Sequence, residues 1–91
     1  MSGIATQVGG YKLLTTTGNV APISKKMVGI FCSASTSGTV TLYDSATTTT
    51  STKVIDTFTL TAGTFYQIPV AFASGIYAVV GGTLSATIIY A

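Results

Sequence analysis

The sequence predicts an all-β fold: a compact antiparallel β-sandwich or jelly-roll-like module of seven to eight strands, with no significant helix. Three observations carry this. Thr fills 18 of 91 positions, and Thr is a poor helix former and a good strand former. Runs of five to ten residues with strand character recur between glycine- and proline-bearing breaks, as in sandwiches and barrels. The spacing leaves no room for crossover helices, so the strands must pair antiparallel.

Ile4–Val8 is the first candidate strand, ended by Gly9 and Gly10. Tyr11–Thr16 is the second, ended by Gly18, Asn19 and Pro22. These first 24 residues read as an N-terminal arm with the first strands, and residues 25–91 as the sandwich core of a single domain. Lys25–Ala34 is the longest early run, followed by a loop of small residues at 35–38. Thr39–Asp44 alternates, with Val40 and Leu42 on one face and Thr39, Thr41 and Tyr43 on the other.

Residues 45–52, SATTTTST, lack apolar side chains beyond Ala46 and read as an exposed hairpin loop. Lys53–Leu60 resumes strand character, but Asp56 falls on the face of Val54, Phe58 and Leu60. A carboxylate inside a small core is costly. Asp56 must therefore lie at a rim near a Lys, or a bulge must shift the register between Ile55 and Phe58. In Phe65–Phe72 the residues Tyr66, Ile68, Val70 and Phe72 share a face, while Pro69 removes a ladder donor and marks an edge or a bulge. Ile76–Val80, closed by Gly81 and Gly82, and Leu84–Tyr90 complete the set. Aromatics left on the second face, Tyr43, Phe65 and Tyr77, are candidate subunit contacts.

Composition excludes much chemistry. There is no His, Glu or Arg. Nucleophile systems that need His cannot be assembled, and a two-carboxylate mechanism would rest on Asp44 and Asp56 alone. With one Cys and no His the chain has no zinc set, and Cys32 lies in an apolar run where it packs as a small hydrophobe. We therefore expect neither an enzyme nor a cofactor, metal or nucleic-acid partner. No apolar run approaches membrane-spanning length and the N-terminus has no signal-peptide pattern, so we expect no membrane partner and synthesis in the cytoplasm of whatever cell makes it.

Charged residues are only 7% of the chain, against about 25% in ordinary domains. Uncharged, Thr-rich strands make sticky edges. Burial in a fixed assembly removes that hazard, so composition favours a structural component over a free monomer.

The stretches GTVTLYD (Gly38–Asp44), KVIDTFTL (Lys53–Leu60) and the closing segment Phe72–Tyr90, with GIYAVV and TIIY, resemble small virion proteins of tailed phages, of the capsid decoration or cement type. The resemblance spans about residues 25–91 and consists of strands and glycines, with no chemical signature. It implies a β-sandwich, often a homotrimer, on the outer capsid surface of the virion. Its partners would be further copies of itself and the major capsid protein. No catalytic residue is carried over. On that reading Ile4, Val8, Tyr11, Lys25 and Lys26 are candidate capsid contacts, and residues 45–52 face solvent. Two alternatives stand beside it. One is a fibre, spike or tail-surface module that binds a host glycan through Tyr43 or Tyr77 with Asp44. The other is a minor capsid or tail-tube subunit.

Overall fold

A computed structural model describes residues 10–91. Six strands follow in order: β1 Gly10–Leu14, β2 Gly18–Ala21, β3 Lys25–Asp44, β4 Lys53–Thr59, β5 Thr64–Phe72 and β6 Ile76–Tyr90. All pairings are antiparallel, in one hydrogen-bonded sheet, and the described residues contain no helix.

Among the described residues the count is six, against seven to eight expected of the whole chain, and two expected breaks there are crossed by continuous strands. Residues 35–38 do not end a strand; β3 runs through them for 20 residues. Gly81 and Gly82 likewise lie inside the 15-residue β6. Conversely, Gly18 and Asn19 open the short strand β2, where the sequence suggested a break. The candidate strand Ile4–Val8 lies outside the described residues.

A straight 20-residue strand would span about 66 Å, yet the longest dimension of the molecule is 43 Å. So β3 bends. The bend has an identifiable cause. Thr36 pairs with Thr83 and Thr39 with Gly81, leaving two residues of β3 opposite one of β6. Ser37 and Gly82 there have φ of 54° and 67°. An extra residue with left-handed backbone is a bulge, which increases local twist and turns the strand.

On one side of the bend the pairing order is β1, β6, β3, β5; on the other it is β2, β6, β3, β4. Ile30 and Cys32 before the bend and Val40 and Leu42 after it are all fully buried, and they belong to a single cluster. Leu84, Ala86 and Ile88 of β6 join them, as do Leu14 of β1, Val20 of β2, Leu60 and Phe72. With no helix among the described residues as a cover, the bend is what brings the two apolar surfaces together.

Asp56 shows both expected remedies. Val40 pairs with Phe58 and Leu42 with Ile55, so the register slips across Asp56 and Thr57. Its carboxylate is exposed and lies 3.2 Å from Lys53 Nζ. Pro69 likewise sits on a strand that pairs on one side only, opposite a register shift at Met27 and Gly29. The loop after β3 is fastened rather than free. Asn19 Nδ2 donates to the carbonyls of Ser45 and Thr47, and Ser45 Oγ accepts from the N–H groups of Thr47 and Thr49.

Candidate interaction surface

The strand register assembles an apolar outer face on the side β1–β6–β3–β5. One row across it is Leu13, Thr87, Phe31, Phe65; the next is Tyr11, Ile89, Gly29, Gln67. Side chains alternate between faces along a strand, so these eight share the face opposite the buried cluster. Tyr11 is 73% exposed, Leu13 57%, Phe65 46% and Phe31 40%. Neither row contains a charge. Apolar patches of this kind on monomers are commonly functional.

The face is not flat. Gly29 is a low point over which the Phe65 ring lies: a Cβ at Gly29 would sit 2.6 Å from Phe65 Cζ and 2.5 Å from the Tyr66 carbonyl oxygen. Tyr11 and Leu13 stand along the β1 edge.

Beyond the β5 edge the surface turns into a cleft. It has a volume of about 550 Å³ and is lined by Ile55, Asp56, Phe58, Phe65, Tyr66, Gln67 and Ile68. Strands β4 and β5 flank it and pair with β3 rather than with each other. Phe58 and Tyr66 meet edge to face across the gap, ring centroids 5.6 Å apart, and the Tyr66 hydroxyl accepts the Thr61 N–H at 2.7 Å. That contact fixes the ring and leaves the apolar walls of Ile55, Phe58 and Ile68 half-buried.

The charged residues lie around these surfaces. Lys25 Nζ is 5.6 Å from the Tyr90 ring centroid, a cation–π contact, and Lys26 is exposed. The Asp56 carboxyl is held below its ordinary value by the Thr57 N–H and by Lys53. Asp44 is committed to structure. Its carboxylate accepts the N–H groups of Ser74 at 2.8 Å, Ala73 at 3.0 Å and Gly75 at 3.3 Å. These bonds, Ser74's first, hold its pKa below the ordinary value.

Of the candidate contacts, Tyr11, Lys26 and Phe65 are exposed and Lys25 is half-buried. Ile4 and Val8 lie outside the described residues. Tyr43 and Tyr77 pair across β3 and β6 with ring centroids 6.1 Å apart, Tyr77 being buried and Tyr43 half-buried. They sit on the β2–β6–β3–β4 side, away from Phe65. Sequence reasoning missed Leu13, Phe31 and the cleft. Their signal is positional, since only the register of four strands places Leu13, Phe31 and Phe65 in one row. No protein-family model, curated protein or solved structure matches the chain.

Proposed function

We propose that this chain is a non-enzymatic structural subunit that self-associates and works by covering surface, in the manner of a capsid decoration or cement protein on the outside of a virion. The observation that carries the reading is the uncharged outer face with Tyr11, Leu13, Phe31 and Phe65 exposed on it. Such a face is a liability on a free monomer and an asset in an assembly. The resemblance of residues 25–91 to small phage virion proteins supplies the setting, with the major capsid protein as partner and the homotrimer as the assembly.

The strand order supports a jelly-roll-like sandwich. The two halves of the bent sheet supply four paired segments each, and the order in which the chain visits them is that of a double-wound ribbon. Such a module has rigid faces and exposed loops. On a capsid it would act as a plug across the junction of neighbouring capsomers, opposing their separation under the pressure of packaged DNA. Three copies about one axis would repeat each weak contact and gain avidity.

Solution mass by light scattering, at low and high salt, tests the reading. A trimer that persists in high salt is the expected result, because apolar contacts are not screened. A monodisperse monomer at high concentration overturns it. Co-sedimentation with purified capsids then tests the capsid partner.

A further inference from the structure

We infer that the cleft between β4 and β5 is a carbohydrate-binding site that takes a neutral pyranose. The inference goes beyond the self-association proposed above and does not depend on it.

The two walls of the cleft carry the same two kinds of group. From β4 come the Phe58 ring and the Asp56 carboxylate; from β5 come the Phe65 and Tyr66 rings and the Gln67 amide. A pyranose presents the matching pair, a ring face of C–H bonds and a rim of hydroxyls. Its C–H bonds carry a slight positive charge and settle on the negative face of an aromatic ring. Phe65 leaves 46% of its surface open to such a contact. Tyr66 is held ready by the Thr61 N–H at its hydroxyl and by the edge of Phe58. The volume of about 550 Å³ is that of a small-ligand site.

The polar atoms are placed and unspent. Asp56 Oδ1 accepts both Lys53 Nζ at 3.2 Å and the Thr57 N–H at 2.8 Å, which fixes the carboxylate. Among the described residues Asp56 Oδ2 and the Gln67 amide have no hydrogen-bond partner. A sugar hydroxyl both donates and accepts, so neighbouring hydroxyls can donate to Oδ2 and accept from the amide.

Charge and polarity narrow the ligand class. Asp56 and Lys53 form a neutral pair, so the rim favours neither sign. An anion would meet the carboxylate, and a cation would compete with Lys53 for it. A wholly apolar ligand would cover the carboxylate and the amide without pairing them. An open-chain polyol would leave the three rings in water. The second aromatic set does not offer the same combination: Tyr77 is buried, and the Asp44 carboxylate is taken by three backbone N–H groups.

The test titrates the isotopically labelled full chain with the methyl glycosides of glucose, galactose, mannose and N-acetylglucosamine and reads backbone amide shifts. Sorbitol, with the hydroxyls but no ring, and cyclohexanol, with a ring but one hydroxyl, are the controls. At least one glycoside should bind saturably in the millimolar range, with shifts centred on residues 55–58 and 65–68, and should bind about tenfold tighter than either control. Asp56→Ala and Phe65→Ala should each weaken it about tenfold, and Gln67→Ala, at an exposed position, repeats the polar arm. Tyr11→Ser, on the β1 edge, should leave it unchanged. The amide spectra show that each variant is folded. Silence from all four glycosides overturns the site, as do shifts centred elsewhere or affinities untouched by the cleft variants. Cyclohexanol binding as tightly as the sugars would make the cleft a general apolar pocket and overturn it too. Solution mass is read separately, so failure here leaves self-association standing, and a monomeric wild type leaves the sugar site standing.

Discussion

A Cβ placed on Gly82 would lie 2.2 Å from the carbonyl oxygen of Ser37. The two residues face each other at the bulge where β3 and β6 turn, Gly82 with φ of 67° and Ser37 with φ of 54°. Left-handed backbone suits glycine, and the close approach leaves no space for a methyl group. Gly82→Ala should therefore destabilise the fold by on the order of 1–3 kcal/mol. The check is the midpoint of urea unfolding. A midpoint within error of the wild type would mean that the bend does not depend on this contact.

That bulge also marks where sequence reasoning and the fold part ways. The period-two alternation of Val40 and Leu42, of Tyr66 to Phe72 and of Leu84 to Ile88 was legible, because each strand has one apolar face. The antiparallel all-β class followed from the Thr content, the recurring runs and the lack of room for crossover helices. Gly81 and Gly82 read equally well as a turn, since glycine serves a tight turn and a bulge through the same left-handed conformation. Only the pairing of two long strands through the break distinguishes them. Asp56 was legible for the opposite reason. A carboxylate on an apolar face has few physical escapes, and the structure shows two of them together. The candidate site was legible only in Tyr11 and Phe65. Its remaining members come from four strands, and a row across strands leaves no trace in linear order.

Neighbouring residues of β3 should respond unequally. Ile30 is fully buried within the core cluster, whereas Phe31 is 40% exposed on the outer face. Ile30→Ala removes buried methyl groups and leaves a cavity, so it should cost about 2–5 kcal/mol. Phe31→Ser removes a side chain that is only partly buried, so it should cost clearly less, on the order of 1 kcal/mol. Equal losses at both positions would place both faces of β3 in a core and remove the exposed face on which the assembly reading rests. The comparison is best made at low protein concentration, where association does not add to stability.

The Asp44 carboxylate ties the end of β3 to the turn before β6 through three N–H groups. Its folded pKa is lowered from the ordinary 3.8. The stabilisation is therefore fully present above that value and is lost as pH falls through the folded pKa. Asn at this position would set an NH2 against one of the backbone donors. Asp44→Asn should cost on the order of 1–2 kcal/mol at neutral pH, toward the low end of charge-assisted bonds because the group is partly exposed. The gap between variant and wild type should stay constant from pH 7 to about pH 5, then narrow as pH falls below 4. Unfolding midpoints measured across this range give the curve. A gap that widens on acidification would contradict the hydrogen-bonded carboxylate.

Asp56 provides the contrast. Its pKa is also lowered, by the Thr57 N–H and by Lys53, yet its side chain is 83% exposed and that of Lys53 is 47% exposed. An exposed pair three residues apart is screened by water and salt and must immobilise a long Lys side chain. Asp56→Asn should leave the unfolding midpoint at neutral pH unchanged within error, in low salt and high, where Asp44→Asn lowers it in both. The two variants share one chemical change, so the difference separates the three donors around Asp44, from a turn some 30 residues away, from the single adjacent donor, the Thr57 N–H, and the exposed Lys53 around Asp56. If Asp56→Asn instead lowered the midpoint as far as Asp44→Asn, the bulge at residues 55–58 would depend on the carboxylate that caps it. The slipped register of β4 would then be a consequence of Asp56 rather than a way of accommodating it.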